Sequence, residues 1–209
     1  MTDAASVYER NDLAGSLHGQ GGAKASDGDL AGAIADYDAA IGIREAIRAE
    51  FGEAWPVTMQ FELASVLHSR GLARAACGDL AAAIADYDAA IKIRDWKAHG
   101  IAPTDTLLAP MYHDLALMLE DRGHAKAKGG DFAGAVIDYD GAIEMMEPAC
   151  GQDDDARPAM THQELVAALQ NPENMMIRIS AGDGARRDHL ARLHQDRAVA
   201  MAASERLKG

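Results

Sequence analysis

The sequence predicts an all-α protein, a stack of antiparallel helical hairpins, on three observations. Three segments align with one another without gaps. Each carries the same Gly-Asp break between two stretches of helical periodicity. The chain is rich in alanine, and only 5% of it is aromatic. Small contact residues suit closely packed helices, whereas a β-sandwich draws on branched and aromatic side chains. Its 209 residues are read as one helical-repeat domain spanning 1–209.

The first unit runs from Asp12 to Ile41, the second from Glu62 to Ile91 and the third from Asp114 to Ile143, at offsets of 50 and 52 residues. Within each unit a glycine (Gly28, Gly78, Gly130) is expected to end the first helix in a left-handed conformation. The aspartate that follows (Asp29, Asp79, Asp131) is expected to cap the second helix. Ala33, Tyr37, Ala40 and Ile41 share one face of that second helix, and Leu13 and Leu17 lie four apart on the first. Small residues at Gly21, Ala33 and Ala40 let the axes approach closely, and Tyr37, Tyr87 and Tyr139 fill the wedge between helices. Core packing explains these tyrosines better than ligand stacking.

The expected repeats are about 4–50, about 56–98 and about 104–148, followed by a degenerate repeat and cap at about 158–207. First helices are expected to start early, near Pro56 and Val57 and near Thr104, and Ile43, Ile47 and Phe51 prolong the apolar face of the first unit's second helix. A fourth unit begins at Glu164, Leu165 and Leu169, with a capping box from Thr161 to Glu164, and is stopped by Asn171-Pro172. Residues 172–184 read as an irregular insertion. A last amphipathic helix is expected from Ala185, offering Leu190, Leu193, Arg197 and Met201 to cover the open end of the stack.

In the second unit Leu67, Arg70-Gly71 and Arg74 lead to Ala83 and Tyr87. This resembles the tetratricopeptide repeat (TPR) family, whose first helix carries a large residue, Leu-Gly and Tyr before Ala-x3-Phe in the second. The resemblance covers residues from about 10 to about 147 in three copies. Family repeats run about 34 residues, so this is an extended variant of about 50 residues. Glu45 and Asp95 stand where the family's closing proline would, which fits elongated helices. The resemblance implies a right-handed superhelix of antiparallel hairpins with a C-terminal capping helix, its first helices lining a concave groove that holds a protein or peptide. The family's carboxylate clamp is missing: His18, Gly22, Ser69, Leu117 and Asp121 occupy the matching positions.

Charge and composition narrow the function classes. A net charge of −13 repels phosphate backbones and anionic lipid heads, so neither nucleic acid nor membrane is expected as a partner. The segment from Arg186 to Lys208 is locally basic, leaving −16 for the rest. The N-terminus has neither a basic start nor an apolar run, no stretch reaches the roughly 18 apolar residues of a membrane span, and Cys77 and Cys150 lack metal-ligand spacing. A cytoplasmic protein with reduced thiols is expected.

No nucleophile elbow, zinc-protease helix, phosphate loop or dinucleotide fingerprint is present, so no enzyme, catalytic residue, cofactor or metal is expected. Gly19, Gly21 and Gly22, with Gly15, weaken the first helix instead, each costing about 1 kcal/mol against alanine. The resemblance places His18, Ser65, His68, Leu72, Leu117, Glu120 and His124 in a partner-binding groove. Imidazoles at His18, His68 and His124 invite a zinc or pH-switch reading, but ordinary polar groove residues are the favoured one. The aspartate pairs Asp36/Asp38, Asp86/Asp88 and Asp138/Asp140 recur three times, as a catalytic dyad would not. Together with Arg70, Arg122, Lys24, Arg74 and Lys126 they are expected to form ion pairs within and between units. A protein- or peptide-binding scaffold is therefore the leading expectation, with a self-assembling homo-oligomeric module as the alternative and a metal-binding or catalytic protein last.

Overall fold

The computed structural model describes residues 4–94, 108–146 and 175–208. Among these the chain is all-helical, with seven α-helices and no strand. They are α1 (Ala4–Ser26), α2 (Leu30–Phe51), α3 (Val57–Ala76), α4 (Leu80–Arg94), α5 (Leu108–Lys128), α6 (Phe132–Met146) and α7 (Met175–Arg206). Helices consecutive among the described residues pack together, α1 on α2, α3 on α4 and α5 on α6 as hairpins, with α2 on α3, α4 on α5 and α6 on α7 joining them. The degenerate fourth unit anticipated around Thr161 to Leu169 lies outside the described residues, as do Cys150 and the helix start near Thr104.

The hairpin turn is built as its residues dictate. Gly28, Gly78 and Gly130 take φ of 86°, 86° and 89°, a region that a β-carbon disfavours. The amide of Gly28 donates to Ala25 O and that of Asp29 to Lys24 O, which satisfies two carbonyls left open at the end of α1. The same bonds recur at Gly78/Asp79 and Gly130/Asp131. Each aspartate then caps the next helix: Oδ1 of Asp29 accepts from Gly32 N at 2.9 Å, that of Asp79 from Ala82 N at 3.2 Å, and that of Asp131 from Gly134 N at 2.9 Å.

Inside each hairpin the tyrosine lies against the glycine of the facing helix. A β-carbon built on Gly21 would sit 2.5 Å from Tyr37 Cε1, and one on Gly71 would sit 2.6 Å from Tyr87 Cε1. All three tyrosines are buried, and so are the alanines flanking them, Ala33/Ala40, Ala83/Ala90 and Ala135/Ala142. Ile47 of α2 finds a core: it packs with Val7, Trp55, Met59, Leu63 and Leu67, and Ile43 and Phe51 pack at the margin of that cluster. Burying a side chain of this size contributes about 1.5–3 kcal/mol.

Two expectations are corrected. Residues from Met175 are helical, so the segment placed in an irregular insertion at 172–184 belongs largely to α7. Gly182 and Gly184 each weaken a helix by about 1 kcal/mol, too little to break one of 32 residues. Leu13 does not join the core but is exposed, while its counterparts Leu63 and Leu115 are buried. α3 and α5 each have a preceding hairpin to cover that leucine, and α1 has none among the described residues. α1 buries Val7, Ala14 and Gly21 at seven-residue intervals instead. No helix among the described residues is long and apolar enough to cross a membrane.

Candidate functional site

The first helices of the hairpins stand in a row, and histidines stitch that row together. His18 Nε2 lies 2.9 Å from Ser69 Oγ, linking α1 to α3. His68 Nε2 lies 2.7 Å from Asp121 Oδ2, linking α3 to α5. Both histidines sit three residues before the glycine of their own helix, and both acceptors sit two residues before theirs. The imidazoles rest on the repeat tyrosines, His18 on Tyr37 with centroids 5.7 Å apart and His68 on Tyr87 at 5.8 Å.

His124 breaks this pattern. It follows Gly123 directly, where the other units hold Gly22 and Leu72, and its Nε2 lies 3.1 Å from Asp196 Oδ2 of α7. The third unit has Glu120 in the histidine position, and Glu120 Oε2 accepts a hydrogen bond of 2.5 Å from His189 Nε2, again from α7. His18, His68 and His124 therefore do not meet at one point. Each is held by a different partner on the neighbouring helix.

The remaining anticipated groove residues are spread along the row. Ser65 Oγ donates to Phe61 O and accepts from Arg94 Nη2 at 3.0 Å. Leu117 is half-buried. Leu72 is 44% exposed and borders a hollow of about 200 Å3 that it shares with Ala25, Leu30, Tyr37, Ser69 and Ala73.

Behind the row runs a ladder of ion pairs. Arg70 makes two bonds to Asp86 of its own hairpin (Nε to Oδ2 3.0 Å, Nη2 to Oδ1 2.6 Å) and reaches back to Asp38 Oδ1 at 2.6 Å. Arg122 repeats this with Asp138 and Asp88, and Arg197 of α7 donates to Asp140. Arg74 and Lys126 add a second cation to Asp86 and Asp138, and Lys24 pairs with Asp36. A further bridge recurs between units as Arg44–Glu62 and Arg94–Asp114. Burial opposes the charge on Arg70 and Arg122, but the hydrogen bonds they donate to their aspartates, with the charge attraction, outweigh it and raise both pKa values. Burial, aided by neighbouring carboxylates, pushes Tyr87 and Tyr139 well above the usual phenol range. His18 is shifted down by burial and by the nearby charge of Arg44.

Sequence reasoning missed His189 and Asp196, which join the row from α7 some 70 residues beyond their partners. The signal available was the double departure at Glu120 and His124 from an otherwise regular column. No known family model matches this chain, and neither does any curated protein.

Proposed function

We propose that the chain is a scaffold of tetratricopeptide type, with hairpins wound into a right-handed superhelix, that holds a peptide segment of a protein partner along the row of α1, α3 and α5. The observation that carries this reading is Leu72, an exposed leucine at the rim of an apolar hollow, on a row whose neighbouring polar side chains are engaged with one another. A bound segment would place an apolar side chain in that hollow, and basic flanks would suit the net charge of −13. The reading involves no catalytic step and no cofactor. Its support is architectural, since extended helical surfaces suit long ligands better than compact substrates.

Capture of partners by the full chain from its native host, followed by mass spectrometry, tests it together with Leu72→Asp. The expected result is a captured protein lost by Leu72→Asp while helicity by circular dichroism is unchanged. Retention of the same protein by that variant overturns the groove reading.

Self-assembly is the second reading, favoured by exposed Tyr8 and Leu13 on α1 and by Val199 and Leu207 near the C-terminal end. A monomeric mass by light scattering at micromolar concentration removes it.

A further inference from the structure

The two departures from the repeat aim at one spot. Glu120 and His124 lie one turn apart on α5 and so share a face. Asp196 meets them from α7, and one ligand atom of each of the three lies within 4.8 Å of the others. Repeat geometry does not demand this cluster: Gly22 and Leu72, at the position of His124, carry no ligand atom, and the earlier joints of the row are single bonds. Its charge balance also differs from that of the ion-pair ladder, although His68–Asp121 shares its histidine–carboxylate chemistry. Asp38, Asp86, Asp88, Asp138 and Asp140 all face arginine. Among the described residues the ion partners of Glu120 and Asp196 are histidines.

We infer that Glu120, His124 and Asp196 bind a divalent transition-metal ion of the Zn2+ class, which clasps α7 onto α5. One imidazole nitrogen with two carboxylate oxygens suits that class, whereas Ca2+ takes 6–8 oxygen ligands and Cu(I) prefers sulfur. Zn2+ bonds of about 2.0–2.2 Å place tetrahedral ligand atoms roughly 3.3 Å apart, so no pair has to close by more than about 1.5 Å. His124 and Asp196 are partly exposed and able to make that movement. Glu120 is already oriented. His189, 3% exposed and with its ring edge-on to that of His113, donates to Oε2, as outer-shell groups do for ligating carboxylates. Two carboxylates brought this close repel each other, and a dication between them removes that cost. Three protein ligands leave a coordination position open to water.

Calorimetric titration of the chelator-stripped full chain with Zn2+ tests the site, alongside His124→Ala, Asp196→Asn and His68→Ala. The expected result is one ion per chain, with affinity reduced at least tenfold in His124→Ala and in Asp196→Asn and unchanged in His68→Ala. Far-ultraviolet circular dichroism of the metal-free variants confirms that they fold. With free Zn2+ a hundredfold above Kd, the wild-type Tm should rise by about 5–10 °C, and that of His124→Ala by far less. Absence of binding, or equal binding by wild type and His124→Ala, overturns the site. Specific binding that leaves hydrogen exchange of the α7 backbone amides unslowed overturns the clasp.

Discussion

Tyr87 lies on Gly71 so closely that the glycine's missing β-carbon is the space the ring occupies, Cε1 being 2.6 Å from where that carbon would be. Gly71→Ala must therefore displace a buried ring, which costs about 1–3 kcal/mol, against a helix-propensity gain of about 1 kcal/mol. A net loss of up to roughly 2 kcal/mol is expected in chemical denaturation. Gly19→Ala is the opposite case. Gly19 is exposed inside α1 with no neighbour within 4 Å, so alanine there should stabilise by up to about 1 kcal/mol. Equal effects at the two sites would refute the role given to the tyrosine.

Arg122 offers one guanidinium to two carboxylates, and burial decides which matters. Asp138 is 0% exposed, and its other cation is Lys126; Asp88 is 57% exposed. Arg122→Met leaves a buried carboxylate short of its bidentate partner and should cost about 3 kcal/mol, toward the low end of the range because Lys126 stays. Asp88→Asn removes only a solvent-facing bond and should cost about 0–1 kcal/mol. Urea titrations of the two variants measure the contrast directly.

Those two contacts illustrate what was legible in the sequence. Gly71, Tyr87, Arg70 and the aspartate pairs recur in register, so their places in a hairpin follow from helical periodicity alone. Triplication also pointed the aspartates to ion pairs within and between units, and they form them. Leu13 misled because periodicity reports a face and not what covers it: the same face is buried in α3 and α5 and bare in α1. α7 was harder still. It has no gapless alignment with the units, so nothing in the period could bring His189 to Glu120 or Asp196 to His124. The glycines at 182 and 184 also suggested a loop where the backbone stays helical.

His18 gives the row a pH dependence of known sign. Burial, and secondarily Arg44, lower its pKa below the ordinary value of 6.5. The unfolded chain thus takes up the proton first as pH falls. The stability His18 contributes is fully present above about pH 6.5 and is lost as pH falls through its lower folded value. Denaturation midpoints between pH 7.5 and 5 should decline less steeply in His18→Gln than in the wild type. An unchanged slope would mean that His18 titrates as it does in an unfolded peptide.

Arg44 is the least well satisfied charge described. It is 3% exposed, and its one bond is 3.2 Å to Glu62 Oε2. Its Nε and Nη1 are buried without a hydrogen-bond partner among the described residues. A guanidinium so placed recovers little of its desolvation cost, and exchanging such a group for an apolar side chain of similar volume is often neutral or stabilising by about 1–4 kcal/mol. Glu62 would not be stranded, because it faces solvent and also accepts from Asn11 Nδ2 at 2.9 Å. Arg44→Met should therefore leave the Tm unchanged or raise it. The same substitution removes the positive charge acting on His18, so the His18 pKa, followed by NMR titration, should move up. A marked fall in Tm would show instead that the Arg44–Glu62 bridge holds the first two hairpins together.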